Sequence, residues 1–186
     1  MNKYRYEATC EDLRSLLSDV KRPKIDGLSI RSLYTNLRFN YNDKEFTDLV
    51  EAAQFGVHDK LPPEEQKFVP PHVEVSNIDE GFICFVNNKP IAYLYSLSTP
   101  IEIKDEETGE LDYYASCILV EVLPEWRRKG LVKFMLKKLM ESTYYKDETN
   151  KLVLWFCAEN NEVSEMTAMS CGFRFKEISS VKDHQN

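Results

Sequence analysis

Residues 120–136 read VEVLPEWRRKGLVKFML, and they mark the point where a strand pattern changes into a helical one. The residues from 114 to 123 are largely apolar and rich in β-branched side chains, which predicts a buried strand. After Gly130 the apolar residues recur at helical spacing, which predicts a helix that ends near Ser142. A strand that stops just before a helix leaves the first backbone N–H groups of that helix unpaired, and such groups attract anions.

Gly130 and three neighbouring cations make this turn suitable for a phosphate. A glycine lets the backbone approach a ligand without a Cβ in the way, and Arg127, Arg128 and Lys129 add positive charge. The stretch therefore predicts a phosphate or pyrophosphate cradle. It is neither a P-loop nor a G-x-G-x-x-G loop, because it contains a single glycine. The alternative is a helix start that merely carries surface charge.

The basic charge of this region stands out in an acidic chain. The formal net charge is −7 over 186 residues, which argues against general nucleic-acid binding. Between residues 127 and 138 there are six cations and no acid, which favours a small anionic ligand. The alternative for the last two cations is a solvated helix face. The six cations are Arg127, Arg128, Lys129, Lys133, Lys137 and Lys138.

The overall composition predicts a single globular domain over residues 1–186. Apolar residues make up 42% and charged residues 30% of the chain, and no apolar run is long enough to span a membrane. The amino terminus has no apolar signal core. The five cysteines are scattered without C-x-x-C spacing, so we expect no disulfide framework, no metal site and a cytoplasmic location.

The remaining patterns predict strands interleaved with helices, which is typical of an α/β fold with a mixed sheet. A hairpin is predicted at 81–98, where Asn-Asn-Lys separates two strand patterns. Residues 58–80 contain four prolines and predict a long loop with one helical turn at 62–66. Further helices are predicted at 9–20 (with Thr9 as cap), 43–55 and 159–172, and further strands at 28–34, 151–158 and 173–179.

Two of these segments resemble motifs of the GNAT superfamily of N-acetyltransferases. Residues 127–132 are similar to its motif A, [QR]-x-x-G-x-[GA], and residues 158–173 (AENNEVSEMTAMSCGF) resemble motif B, in which an Asn opens a helix that ends in Gly-Phe. The resemblance runs from about residue 28 to 175. It implies a GNAT-like core over 28–180, with 1–27 as an N-terminal extension. It also implies a central, mostly antiparallel sheet that is splayed at the cofactor site and flanked by helices.

The resemblance implies acetyl-CoA as co-substrate and an amine as acyl acceptor. The backbone from Val120 to Val122 would pair with the pantetheine arm, and Asn161 would contact the cofactor. The cradle residues that would bind the pyrophosphate are Arg127, Arg128, Lys129, Gly130, Leu131, Val132 and Lys133.

The chain departs from the family pattern at several positions. Val132 stands where the family has Gly or Ala, and Ala168 stands where many members have a Tyr that protonates the leaving thiolate. Thr167 and Ser170 are poor substitutes for that Tyr. Phe156 and Ser116 stand where relatives carry a Glu.

Glu121 is the remaining candidate for the general base. A carboxylate in its apolar context should have a raised pKa. The alternative, which we favour from sequence, is that Glu121 pairs with a lysine or points to solvent. His58 and His72 lie in the long loop, and we interpret them as surface residues without a role.

The ends of the chain and its acidic segment bear on possible partners. The family has two strands after Gly-Phe, but 13 residues follow Phe173. We therefore expect residues 2–9 or a second subunit to pair with the C-terminal strand, the latter as a homodimer. An acidic hairpin predicted at 102–112 would attract a cationic small-molecule or peptide amine, or it is simply a soluble loop. Nucleic-acid and membrane partners are not expected.

Three functions remain open from the sequence. The first is an N-acetyltransferase that uses acetyl-CoA and a primary amine. The second is a GNAT-like domain that binds acyl-CoA but has little or no turnover and serves a regulatory or interaction role. The third is a relative in fold alone, in which Val132 blocks the cofactor.

Overall fold

The computed structural model describes residues 2–34, 44–68, 73–98, 103–104, 111–112, 115–148 and 151–180. The helices in these ranges are α1 (Cys10–Leu17), α2 (Lys44–Val57), α3 (Pro63–Gln66), α4 (Leu131–Met140) and α5 (Glu162–Ser170). The strands are β1 (Asn2–Thr9), β2 (Leu28–Tyr34), β3 (Ile78–Val86), β4 (Lys89–Ser98), β5 (Ile103–Lys104), β6 (Leu111–Asp112), β7 (Ser116–Val122), β8 (Leu152–Ala158) and β9 (Arg174–Ser180). None of the described helices is long and apolar enough to cross a membrane.

Seven of the described strands form one mixed sheet in the order β2-β3-β4-β7-β8-β1-β9. Neighbouring strands in it run antiparallel except β7 and β8, which run parallel. The predicted mixed, mostly antiparallel sheet is therefore confirmed. Most of the acidic hairpin predicted at 102–112 lies outside the described residues. Its described parts, β5 and β6, pair with each other.

Local sequence accounts for the turns and caps. Asn87 and Asn88 have φ values of 51° and 62°, which suit the tight turn of the β3–β4 hairpin. The hydroxyl of Thr9 accepts a hydrogen bond from the Asp12 N–H at 3.1 Å and caps α1 as predicted. Gly172 has a φ of 98° and ends α5, again as predicted.

The N-terminal strand is an interior strand of the sheet. β1 pairs with β8 on one side and with β9 on the other, so the expected pairing of residues 2–9 with the C-terminal strand is confirmed. Tyr6, Leu13 and Leu17 are buried in the main hydrophobic core. The description of residues 1–27 as an extension outside the core is therefore wrong, because β1 and α1 are integral to it. A homodimer through the outer edge of β9 stays a prediction.

The two faces of the sheet carry different helices. On one face, here called the α2 face, α2 packs against β4, and the strands present Tyr93, Tyr95 and Glu121. The opposite face, here called the α4 face, presents Glu80 and Ser96. Their side chains hydrogen-bond to Ser142 and Tyr145, which follow α4 in the chain. This alternation follows from the strand period of two residues.

Candidate active site

A cleft opens where β7 and β8 separate. The two parallel strands pair over Ser116–Ile118 and Val153–Trp155, but β7 continues to Val122 and β8 to Ala158. The cleft between their separated ends has a volume of about 880 Å³. Its walls come from the end of β7, the turn that follows, the start of α4 and one side of α5. The predicted splaying of the sheet is present at the predicted place.

The edge of β7 that faces this cleft carries backbone hydrogen-bonding groups. The N–H of Leu123 donates to the carbonyl of Ile91 at 3.0 Å. The backbone N–H and C=O groups of Leu123 and Glu121 therefore point toward β4. Because successive residues of a strand point to opposite edges, the N–H and C=O groups of Val120 and Val122 point toward the cleft. These are the backbone groups that the sequence assigned to an extended ligand.

The turn after β7 leaves open space at Gly130. This residue has a φ of 81° and directly precedes α4. A Cβ placed on Gly130 would meet no atom within 4 Å, so a ligand can approach the backbone here. The first turn of α4 contains no acidic residue, and no side chain caps it. The geometry fits an anion such as a pyrophosphate.

The guanidinium of Arg127 is engaged with protein groups. Its Nε donates to the carbonyl of Val122 at 3.0 Å, and its terminal nitrogens bind both carboxylate oxygens of Glu65, one of them at 3.0 Å. The sequence predicted that the positive charge of Arg127 would face a phosphate, but this charge is already paired with Glu65. Lys129 lies over the ring of Trp126, with Nζ 4.8 Å from the centroid. Arg128, with a φ of 60°, also lines the cleft.

Glu121 lines the same cleft and is buried, with 4% of its surface exposed. Its Oε1 is 2.9 Å from Nδ1 of His58, and the hydroxyl of Tyr93 donates to its Oε2. The favoured interpretation that Glu121 pairs with a lysine or points to solvent is therefore wrong. The interpretation of His58 as a surface residue is also wrong, because the residue is buried, with only 6% of its surface exposed. His72 lies outside the described residues.

Burial and the charge of Glu121 raise the pKa values of both Tyr93 and Tyr95. Their hydroxyls therefore remain protonated donors beside the carboxylate. Tyr95 stacks on Tyr93 with ring centroids 4.5 Å apart. We call His58, Tyr93, Tyr95 and Glu121 the Glu121 cluster.

Solved structures that are similar to this chain in fold include N-acetyltransferases. A GCN5-related N-acetyltransferase-like protein from Streptococcus suis is 12% identical, with a TM-score of 0.50 over 95% of this chain and 59% of that one. An aminoglycoside acetyltransferase from an uncultured soil metagenomic sample is 16% identical, with a TM-score of 0.50 over 82% of this chain and 95% of that one. A conserved protein of unknown function from Staphylococcus epidermidis is 16% identical, with a TM-score of 0.52.

This chain has the GNAT fold. The chain covers 58% and 59% of the length of the Staphylococcus and Streptococcus proteins, so it spans somewhat more than half of each. No protein-family model and no curated protein matches the sequence. The likeness at this level of identity therefore concerns the fold.

The residues that resemble motif B lie along one wall of the cleft. Asn161 lines it and caps α5, because its side chain accepts a hydrogen bond from the Ser164 N–H at 3.2 Å. Ala168, at the position of the family Tyr, is fully buried. The hydroxyls of Thr167 and Ser170 donate to the helix carbonyls of Val163 (2.7 Å) and Thr167 (2.9 Å). Both hydroxyls therefore already donate to the backbone of α5.

The other motif A residues divide between the cleft and the protein body. Lys133, Leu131 and Val132 line the cleft, and Val132 also packs against the core. Whether Val132 crowds a bound cofactor stays a prediction. Lys137 is half-buried and donates to the carbonyls of Ser18 and Val20 after α1, so the solvated-face interpretation is wrong for it.

The sequence contained no signal for the contacts of Glu121 and Arg127. His58 is 63 residues from Glu121, and Glu65 is 62 residues from Arg127. Both partners come from the proline-rich segment that carries no periodic pattern. The end of α2 and α3 lie against the cleft, and this packing brings His58 to Glu121 and Glu65 to Arg127.

Proposed function

We propose that this protein is an N-acyltransferase that transfers an acetyl group from acetyl-CoA to a primary amine. The observation that carries the proposal is the continuous path formed by the open edge of β7 and the helix start at Gly130. An extended amide-containing arm pairs with the first, and a pyrophosphate binds the second. Acetyl-CoA contains both groups in this order.

Named residues supply each part of the binding site. The backbone groups of Val120 and the N–H of Val122 hold the amides of the pantetheine arm as an added strand would, while the Val122 carbonyl already accepts a hydrogen bond from Arg127. The backbone N–H groups at the start of α4 hold the pyrophosphate, while Arg128 and Lys133 add positive charge. The amide of Asn161 lies on the opposite wall, where it meets the cofactor arm. Acetyl-CoA supplies the activated acetyl thioester.

The amine acceptor enters from the α2 face. Glu121 lines the cleft and places a carboxylate at that end of it, whereas both carboxylate oxygens of Glu65 are bound by Arg127. An amine acceptor is also in keeping with the soil-derived aminoglycoside acetyltransferase of similar fold. The five cysteines are free thiols, which supports a reducing compartment such as the cytoplasm.

Titration calorimetry with acetyl-CoA tests the binding step. We expect wild-type protein and Gly130→Ala to bind, and Gly130→Trp to lose binding by more than 100-fold. Both variants share the strain of a side chain at positive φ, of about 1 kcal/mol, so their difference isolates the bulk placed in the cradle. Thermal melting and circular dichroism show whether each variant is folded.

Release of CoA thiol tests the transfer step. The protein is incubated with acetyl-CoA and, in turn, spermidine, an aminoglycoside and a lysine-containing peptide, and the thiol is followed with a colorimetric reagent. Release that depends on one acceptor supports the enzyme. Binding without release favours the alternative of an acyl-CoA-binding regulatory domain. If wild-type protein binds no acetyl-CoA, the likeness is one of fold alone.

A further inference from the structure

The Glu121 cluster is shaped by two glycines that have no room for a side chain. A Cβ on Gly56, near the end of α2, would collide with the ring of Pro90 at the start of β4. A Cβ on Gly81 would lie 2.7 Å from the carbonyl oxygen of Leu94 and 2.8 Å from the ring of Tyr95. The first glycine lets the helix end bring His58 onto the sheet, and the second gives space to Tyr95.

Tyr95 contributes a buried hydroxyl that needs a partner. The residue is fully buried, and its hydroxyl hydrogen-bonds to no group in the described part of the chain. Buried polar groups in native proteins are almost always satisfied, so an unpartnered one indicates a site for a polar ligand or water. Tyr95 is stacked on Tyr93, whose hydroxyl binds Glu121, and it feels the charge of that carboxylate.

Glu121 places this cluster beside the proposed thioester arm. It lies between Val120 and Val122, whose backbone groups point to the open edge of β7. Its side chain extends to the α2 face, and the residue also lines the cleft. A carboxylate at this position is adjacent both to the bound acyl donor and to the side from which the acceptor enters.

We infer that the Glu121 cluster is the proton-accepting centre of the transfer reaction, and this inference rests on the proposed function. Glu121 accepts the proton of the acceptor amine, directly or through a water held by the Tyr95 hydroxyl. His58 and Tyr93 are positioning residues, because their hydrogen bonds hold the carboxylate in one orientation. The cluster is therefore a site for an amino group or its proton-carrying water.

The reaction step balances with the groups present. The amine nitrogen attacks the thioester carbonyl, a C–N bond forms, and the C–S bond breaks as the CoA thiolate leaves with its electron pair. The proton released from nitrogen passes to a carboxylate oxygen of Glu121. Each oxygen already accepts one hydrogen bond and retains a lone pair for this proton. The thiolate takes its proton from solvent, because the hydroxyls of α5 are bound to helix carbonyls.

The first experiment compares Glu121→Gln with Glu80→Gln, a matched change at a buried glutamate on the opposite face. Acetyl-CoA binding is measured by calorimetry, and CoA thiol release is measured with the three amines and with water as acceptor. We expect Glu121→Gln to bind acetyl-CoA within about twofold of wild type but to lose about 100-fold or more in turnover. Glu80→Gln should retain both.

The second experiment separates catalysis from stability. Tyr95→Phe should lower turnover at least fivefold without lowering the melting temperature, whereas Tyr145→Phe, on the α4 face, should do the reverse. His58→Gln keeps a donor and should retain more turnover than His58→Leu.

The outcomes distinguish this inference from the proposed function. Wild-type turnover in Glu121→Gln, or unchanged turnover in both Tyr95→Phe and His58→Leu, overturns the inference and leaves the acyltransferase intact. Wild-type protein that binds acetyl-CoA but releases no CoA with any acceptor also overturns it. Failure of wild-type protein to bind acetyl-CoA overturns the proposed function itself.

Discussion

Two buried glutamates lie on opposite faces of the same sheet, and their surroundings differ. Glu121 on β7 is 4% exposed, and both its oxygens receive hydrogen bonds, from His58 and Tyr93. Glu80 on β3 is 2% exposed and accepts a hydrogen bond from the Ser142 hydroxyl. Within the described ranges, Oε1 of Glu80 has no hydrogen-bond partner.

The difference shows that burial alone does not give a carboxylate a role. Burial raises the pKa of Glu80, which a single hydroxyl donor only partly opposes. Glu80 does not line the cleft, whereas Glu121 does, and it is Glu121 that has two donors. The two donors and the cleft together make Glu121 suitable for chemistry. The following changes test this contrast in order of expected size.

Replacing each glutamate by leucine should separate them most clearly. Glu121→Leu leaves the Nδ1–H of His58 and the hydroxyl of Tyr93 buried without an acceptor, which we expect to cost about 3 kcal/mol of unfolding free energy. Glu80→Leu removes an incompletely satisfied carboxylate and should change stability by less than about 1 kcal/mol. Urea unfolding measures both. Equal costs would mean that the two sites are equivalent.

Adding one methyl group at Gly81 tests the packing of the Glu121 cluster. In Gly81→Ala the new Cβ would press on the backbone carbonyl of Leu94 and on the Tyr95 ring, so we expect a loss of about 2 kcal/mol. The same unfolding measurement applies. A neutral effect would show that β3 and β4 can separate and that Tyr95 is not held in a fixed place.

The pH dependence of stability should report Glu80. Because its folded pKa is raised, the proton is held more tightly in the folded state. Its stabilising contribution is complete below the unfolded pKa of about 4.3 and is lost as the pH rises through the folded value. Glu80→Gln should therefore stabilise the protein at pH 7 by about 1 kcal/mol relative to its effect at pH 4. A gain that does not change with pH would argue against an ionised, desolvated Glu80.

The smallest effect should come from two buried tyrosine hydroxyls. Tyr145 shares a hydrogen bond with Ser96 on the α4 face, so Tyr145→Phe should cost about 1 kcal/mol. Tyr95→Phe removes a hydroxyl without a partner in the described residues and should cost nothing measurable or stabilise slightly. Thermal melts of the two variants provide the comparison. A large cost for Tyr95→Phe would reveal a structural partner instead of a ligand site.

Local sequence determined much of this protein. The strand that leads into Gly130, the helix after it, the Thr9 cap and the Asn87–Asn88 turn depend on contacts between residues close in the chain. Periodicity and turn chemistry predict such features, because each residue type limits its own backbone and that of its neighbours. The opening between β7 and β8 was also expected, but through resemblance to a family rather than from spacing.

Tertiary structure alone decided the position of β1 and the partners of the charged site residues. We expected from the sequence that residues 2–9 pair with the C-terminal strand, but nothing in it encodes their insertion between β8 and β9. Likewise, no local rule joins His58 to Glu121 or Glu65 to Arg127. These contacts arise because α2 packs on β4 and delivers the unpatterned segment behind it to the cleft. The sequence thus predicted the strand, turn and helix that form one wall of the cleft, while packing between distant segments decided which side chains surround Glu121.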